Sequence, residues 1–169
     1  LATPPSRLSP LSDVGLAPLR LSVRRHPTPA EVAERGIEIT LRVPTALDVV
    51  EEAVDVVARH CLAGGLAPHA ARFNLRVALS EALANAIIYG NRLDPGKVVD
   101  VRVVITASRL SLHVADEGEG FDPATIPDPT APERIEAEDG RGLFLIRQLV
   151  DEVRFNDRGN AICMVLRRA

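Results

Sequence analysis

Glu81 and Asn85 stand four residues apart in the segment SEALANAIIYGN, one helical turn from each other, so a carboxylate and a carboxamide address one ligand from the same helix face. Such a pair suits phosphoryl transfer. A magnesium ion prefers near-octahedral oxygen and keeps most of its water, so the Asn85 oxygen plus phosphate oxygens make an economical site. Glu81 then stands near the γ-phosphate, where it can orient or deprotonate an incoming hydroxyl or water. Taken alone, the pair reads more readily as a solvated helix face with an i, i+4 hydrogen bond.

A second candidate, ADEGEGFD, ends a strand in Asp116 and continues through Gly118 and Gly120. A carboxylate there accepts a hydrogen bond from the exocyclic amine of adenine, whereas guanine presents a carbonyl oxygen and leaves two acceptors facing each other. The acid therefore selects the base. The glycines permit positive φ and close backbone approach, although a turn with a purely conformational role has the same pattern. A third segment, Gly140-Arg141-Gly142, leads into the apolar run LFLIRQLV, and a helix N-terminus with free N–H groups is a phosphate seat. Glycines before a helix are also common as a simple turn and cap.

The spacing of apolar residues supplies the elements that hold these groups. Ile37, Ile39, Leu41 and Val43 alternate with polar residues and predict a strand ended by Pro44. Residues 46 to 62 change to helical period, with Leu47, Val50, Val54, Val57 and Cys61 on one stripe, closed by Gly64-Gly65. A second helix is predicted over 68–89, with Phe73, Val77, Ala84 and Ile88 facing the core and Gly90 as a left-handed cap. Residues 98–106 and 109–116 predict paired strands covered by helices on one side, with His113 facing solvent. The acidic, Pro-broken stretch 122–139 is too long for an ordinary connection and reads as a functional or disordered loop. A helix from about 142 to 150 follows, then strands at 152–156 and 161–167 joined through Asp157-Arg158-Gly159-Asn160, which has hairpin turn chemistry.

Residues 1–35, with six prolines among Ser and Arg, read as an extended tail, and 36–169 as one domain. Four arginines against one aspartate give the first 30 residues +3, so the remainder carries −6 of the net −3. Nucleic-acid binding by the folded part is not expected. Cys61 and Cys163 form no metal-ligand pattern and read as buried small hydrophobes. No apolar run reaches the roughly 20 residues of a membrane helix, and a cytoplasmic location is the expectation.

The trio EALANA, DEGEGF and GRGLFL, with a long loop before the third, resembles the N box and glycine boxes of the GHKL ATPase superfamily, which includes histidine kinases, type II topoisomerases and MutL. Within it, residues 37 to 168 are most similar to small bacterial anti-sigma-factor serine/threonine kinases of the RsbW and SpoIIAB type. The resemblance implies an α+β fold, a two-layer sandwich with a mixed, mostly antiparallel sheet and helices on one face. It implies ATP and Mg2+ as cofactors, Glu81 as catalytic base and Asn85 as metal ligand. Asp116, Gly118, Gly120, Gly140, Arg141, Gly142 and Leu143 would bind ATP. The implied partners are a STAS-domain anti-anti-sigma protein, which takes phosphate on serine, and a sigma factor held by a homodimer. Two positions depart from the pattern: Tyr89 stands where histidine is frequent, and Glu138-Asp139 where some members place a γ-phosphate arginine. Arg134 and Arg141 are candidates for that charge. The other readings are a nucleotide-binding regulatory module without transfer, an ATP-binding fragment of a larger signalling protein, and a plain ATPase.

Overall fold

The computed structural model describes residues 19–26, 36–125 and 138–168. Its centre is a six-stranded sheet: β1 (Arg20–His26), β2 (Gly36–Pro44), β3 (Val98–Ile105), β4 (Arg109–Ala115), β5 (Glu152–Phe155) and β6 (Ala161–Arg167), in the spatial order β1-β2-β3-β4-β6-β5. Three helices accompany it: α1 (Val50–Ala63), α2 (Leu75–Asn85) and α3 (Glu138–Leu149). This is the α+β arrangement expected.

Every strand pairing among the described residues is antiparallel, so the mixed sheet of the expectation is refined. The connections explain this. Two helices intervene between β2 and β3 and return the chain to the end it left, while β3–β4 and β5–β6 are joined by short turns. β4 and β5 do run in the same direction across α3, but β6 slots between them. Parallel strands are therefore present without being neighbours.

Alternation along the strands sorts the two faces. Ile39, Leu41 and Val43 of β2, Val101 and Val103 of β3, Leu110 and Leu112 of β4, and Met164 of β6 are buried together with the helices. From α1 come Val54, Val57 and Cys61, and from α2 Leu75, Leu79 and Leu83. Each such side chain contributes roughly 1.5–3 kcal/mol on burial. The opposite face carries ion pairs such as Arg42–Asp100 at 3.1 Å and Arg102–Glu38 at 3.1 Å. His113 lies on that outer face, half-buried, with Cys163 Sγ 3.7 Å from its Nε2. Burial first, and the nearby Arg102 second, hold the His113 pKa below its ordinary value. Cys61 is a core thiol, pushed up to about 12 by desolvation, and so is inert near neutral pH. Cys163 is only half-buried, which corrects its reading as a buried hydrophobe.

Three expectations change. β1 falls within the stretch read as tail, and Leu21 and Val23 pair opposite Leu41 and Ile39. Its two apolar residues, flanked by arginines, are too few to register as a period, and at the sheet edge each stays 43% exposed. On α2 the core stripe is Leu75, Leu79, Ala82, Leu83 and Ala86, whereas Phe73 is exposed and Val77, Ala84 and Ile88 are half-buried. At 100° per residue Val77, Ala84 and Ile88 share the face of Glu81 and Asn85, so one face could not serve both core and ligand. The first 18 residues of the tail and residues 27–35, with most of the loop (126–137, including Arg134), lie outside the described residues.

The third change concerns the end of α2. The helix continues through a π-helical turn, Ala86–Gly90, a form found often at functional sites. Gly90 is not left-handed. The reversal falls on Arg92 (φ 55°) and Leu93 (φ 57°), non-glycine residues in a costly region, pinned by the Leu93 N–H donating to the Ile87 carbonyl at 2.9 Å.

Candidate functional site

α2 and its π-helical extension form the spine of the site. Nine residues separate Glu81 from Gly90, about 13 Å at the rise of a helix. Each end meets one of the other two motifs. At the Glu81 end, α3 crosses so closely that a Cβ on Gly142 would lie 2.7 Å from Glu81 Oε2 and 3.4 Å from Asn85 Nδ2. At the Gly90 end, a Cβ would collide with the Asp116 carboxylate, and one on Gly118 would collide with the Gly90 carbonyl. The acid, the amide, the strand-end aspartate and two glycines thus line one helix.

Asp116 follows β4 directly. Its main chain is tied to the last hairpin, its N–H donating to the Asn160 carbonyl at 2.9 Å and its carbonyl accepting from Asn160 Nδ2 at 2.8 Å. Its side-chain Oδ1 accepts from the Gly118 N–H at 2.7 Å, which leaves Oδ2 to face Gly90. Burial raises its pKa. The Gly118 hydrogen bond and the charges of Lys97 and Arg158 oppose that rise.

Gly118 is a space requirement and Gly120 a conformational one. Gly120 has φ +78° and its α-carbon abuts the Arg158 carbonyl, so the glycine turn is embraced by the β5–β6 turn. Arg158 closes the embrace, its Nη2 donating to the Gly118 carbonyl at 3.0 Å, while Phe121 and Phe155 meet edge to face at 5.3 Å. The hairpin turn read from Asp157-Arg158-Gly159-Asn160 is therefore part of the site's scaffold.

The phosphate-seat reading of the third motif changes in register. α3 begins at Glu138, so Gly140 and Arg141 lie in its first turn and Gly142 is its fifth residue, past the four N–H groups without an intrahelical acceptor. Arg141 is exposed and Leu143 half-buried. Gly142 of this motif meets the α2 pair in the geometry above. The helix start was obscured because Glu138 and Asp139 are favourable at a helix N-terminus yet read as loop beside four prolines.

Asn91 was passed over in the sequence, although it closes the segment SEALANAIIYGN. It is fully buried. Its Oδ1 accepts from the Glu117 N–H at 2.8 Å, and its Nδ2 donates to Thr45 Oγ1 and to the Val98 carbonyl, both at 2.9 Å. Thr45 in turn donates to the Lys97 carbonyl at 2.7 Å. One side chain thereby fastens the end of α2 to β2, β3 and the glycine turn. Its signal was available: a polar residue directly after a helix-ending glycine, before a strand. Asn91→Ala is expected to leave the Glu117 N–H without its acceptor and Thr45 Oγ1 without its donor, and to cost about 1–3 kcal/mol. Urea unfolding should show a lower midpoint with unchanged slope, and an unchanged midpoint would contradict this role.

Residues 43–166 match the histidine kinase-like ATPase domain family. The chain belongs to that family. Among characterised proteins, this ATPase domain is similar to the serine-protein kinase RsbW of Oceanobacillus iheyensis, 33% identical over 98 residues, covering 54% of this chain and 62% of that protein. It is 36% identical over 101 residues to serine-protein kinase RsbW of Bacillus subtilis, covering 54% and 61%. The corresponding protein of Listeria monocytogenes is 30% identical over 99 residues, covering 54% and 62%. The chain thus spans about three fifths of the length of these relatives.

An ATPase domain of this family uses ATP, and the donor set fits the metal that accompanies it. Among the described residues no group of three or more His, Cys, Asp or Glu side chains is placed to cage an ion. A magnesium ion suits a lone amide oxygen such as that of Asn85, with phosphate and water completing its shell. No helix among the described residues is long and apolar enough to cross a membrane.

Proposed function

We propose that this protein is an ATP- and Mg-dependent serine/threonine kinase of the anti-sigma type, transferring phosphate to a STAS-domain anti-anti-sigma protein. The observation that carries this reading is the meeting of Gly142 with Glu81 and Asn85 at one end of α2, and of Asp116 with Gly90 at the other. A nucleoside triphosphate bridges that span with its base toward Asp116 and its γ-phosphate toward Glu81. Similarity to proteins named serine-protein kinase supports the choice of acceptor.

In this reading Asp116 accepts a hydrogen bond from the adenine amine, and Glu81 takes the proton of the acceptor hydroxyl. The hydroxyl oxygen bonds to the γ-phosphorus as the β–γ bridging oxygen leaves with ADP. Asn85 supplies the protein oxygen to magnesium, whose charge, when bound, offsets that on the phosphoryl oxygens. Gly142 keeps the space beside the Glu81 carboxylate clear. Between transfers the protein, as a cytoplasmic homodimer, sequesters a sigma factor, and the unphosphorylated STAS protein displaces it.

Incubation with γ-labelled ATP, magnesium and STAS-domain proteins of the same organism tests this. Label is expected on a serine or threonine of one of them. Saturable binding of Mg·ATP with no labelled acceptor would overturn the kinase reading in favour of a nucleotide-binding regulatory module.

A further inference from the structure

Glu81 also borders a second space. A groove of about 520 Å³ runs between α1 and α2, walled by Leu47, Val50 and Val54 on one side and Val77 and Ser80 on the other. It reaches Glu81 from the α1 side, whereas Gly142 reaches it from α3. Leu47, expected on the helix's apolar stripe, is 49% exposed on this wall, while Val50 is half-buried and also packs against the core.

The groove is electrically polarised along its length. Arg72 and Arg76 line one end, and Arg76 pairs with Asp55 of α1 at 2.5 Å. The short connection between the helices makes them antiparallel, so Glu51, one turn before Asp55, lies toward the Glu81 end. Glu51 and Glu81 therefore stand at one end, while at the other Asp55 offsets the charge of Arg76 and leaves that of Arg72. Arg72 is exposed and has no ion-pair partner among the described residues.

We infer that this groove seats the acceptor segment of the protein substrate, and that Arg72 reads an acidic side chain on it. The inference rests on the kinase reading above. The occupant is an extended segment whose Ser or Thr hydroxyl lies at Glu81 and whose apolar side chains meet Leu47 and Val77. Arg72 precedes Glu81 by nine residues, about 13 Å along the helix. At roughly 3.3 Å per extended residue, the acidic side chain lies about four positions from the acceptor. A basic residue there would meet Arg72 and be rejected.

The test uses the acceptor protein labelled in the transfer assay, with its phosphorylated residue located by mass spectrometry. Arg72→Glu is expected to raise KM for that acceptor about tenfold or more, with Kd for Mg·ATP unchanged. Arg59→Glu, the same charge change on the exposed side of α1, should leave KM alone. Changing the acceptor's acidic residue, about four positions from the labelled hydroxyl, to Lys should restore KM for Arg72→Glu and impair it for the unaltered protein. An unmoved KM in Arg72→Glu with transfer intact overturns the inference and leaves the kinase reading standing, as does an equal loss in Arg59→Glu. Failure of the unaltered protein to label any acceptor, while it binds Mg·ATP, removes both.

Discussion

Glu81→Gln is expected to lower phosphoryl transfer by about 10²–10⁴-fold while Kd for Mg·ATP changes little, because the amide keeps the shape of the side chain and loses its proton acceptor. The geometry makes this substitution informative. Glu81 lies beside Gly142 on one flank and the α1–α2 groove on the other, and the isosteric Gln disturbs neither. Single-turnover transfer measured beside nucleotide titration separates the two effects. Loss of nucleotide affinity with transfer intact would assign Glu81 to binding and refute its role as base.

Asp116→Asn is expected to weaken ATP binding by about 10–100-fold, the worth of roughly 1.5–3 kcal/mol for a hydrogen bond to a charged group. Selection against GTP should blunt as well, since the new amide can donate to the guanine carbonyl where the carboxylate repelled it. Dissociation constants for both nucleotides measure this. Equal discrimination in the variant would mean that Asp116 does not face the base.

The same substitution has an opposite effect on stability. Burial raises the Asp116 pKa above its ordinary value, so its contribution to stability is full at acid pH and is lost as pH rises through the folded-state value. At pH 7 the native protein therefore holds a carboxylate that its surroundings disfavour. Asp116→Asn keeps an oxygen for the Gly118 N–H and carries no charge, so its Tm at pH 7 should exceed that of the unaltered protein. The difference should vanish below the ordinary aspartate range. A variant less stable at pH 7 would show that the hydrogen bond and the Lys97 and Arg158 charges outweigh desolvation.

Strand alternation made β2, β3, β4 and β6 legible to within a residue or two, because a half-buried strand writes its burial into every second position. The α2 pair was legible for a similar reason: i, i+4 spacing is geometry. What escaped was contact between distant segments. No local pattern shows that Gly90 is glycine to admit the Asp116 carboxylate, or that Gly118 is glycine to admit the Gly90 carbonyl. Asn91 was passed over, and its burial follows only once β2, β3 and the glycine turn are brought round it. β1 was hidden by its composition, since Leu21 and Val23 gain shelter from β2 rather than from a stripe of their own. The groove beside Glu81 was invisible for the same cause: Leu47 fits an ordinary core stripe until the turn that precedes α1 is placed at the surface.

The central claim is that Asp116 with its glycine turn, the Glu81–Asn85 pair and the start of α3 serve one nucleotide. Titration of the isotopically labelled protein with Mg·ATP, followed through the backbone amides of Gly118, Gly120, Asn85 and Gly142, tests it most directly. All four signals are expected to move along one binding curve with a single Kd and one nucleotide per chain. Shifts confined to one segment, or separate curves for the glycine turn and for α3, would contradict a shared site.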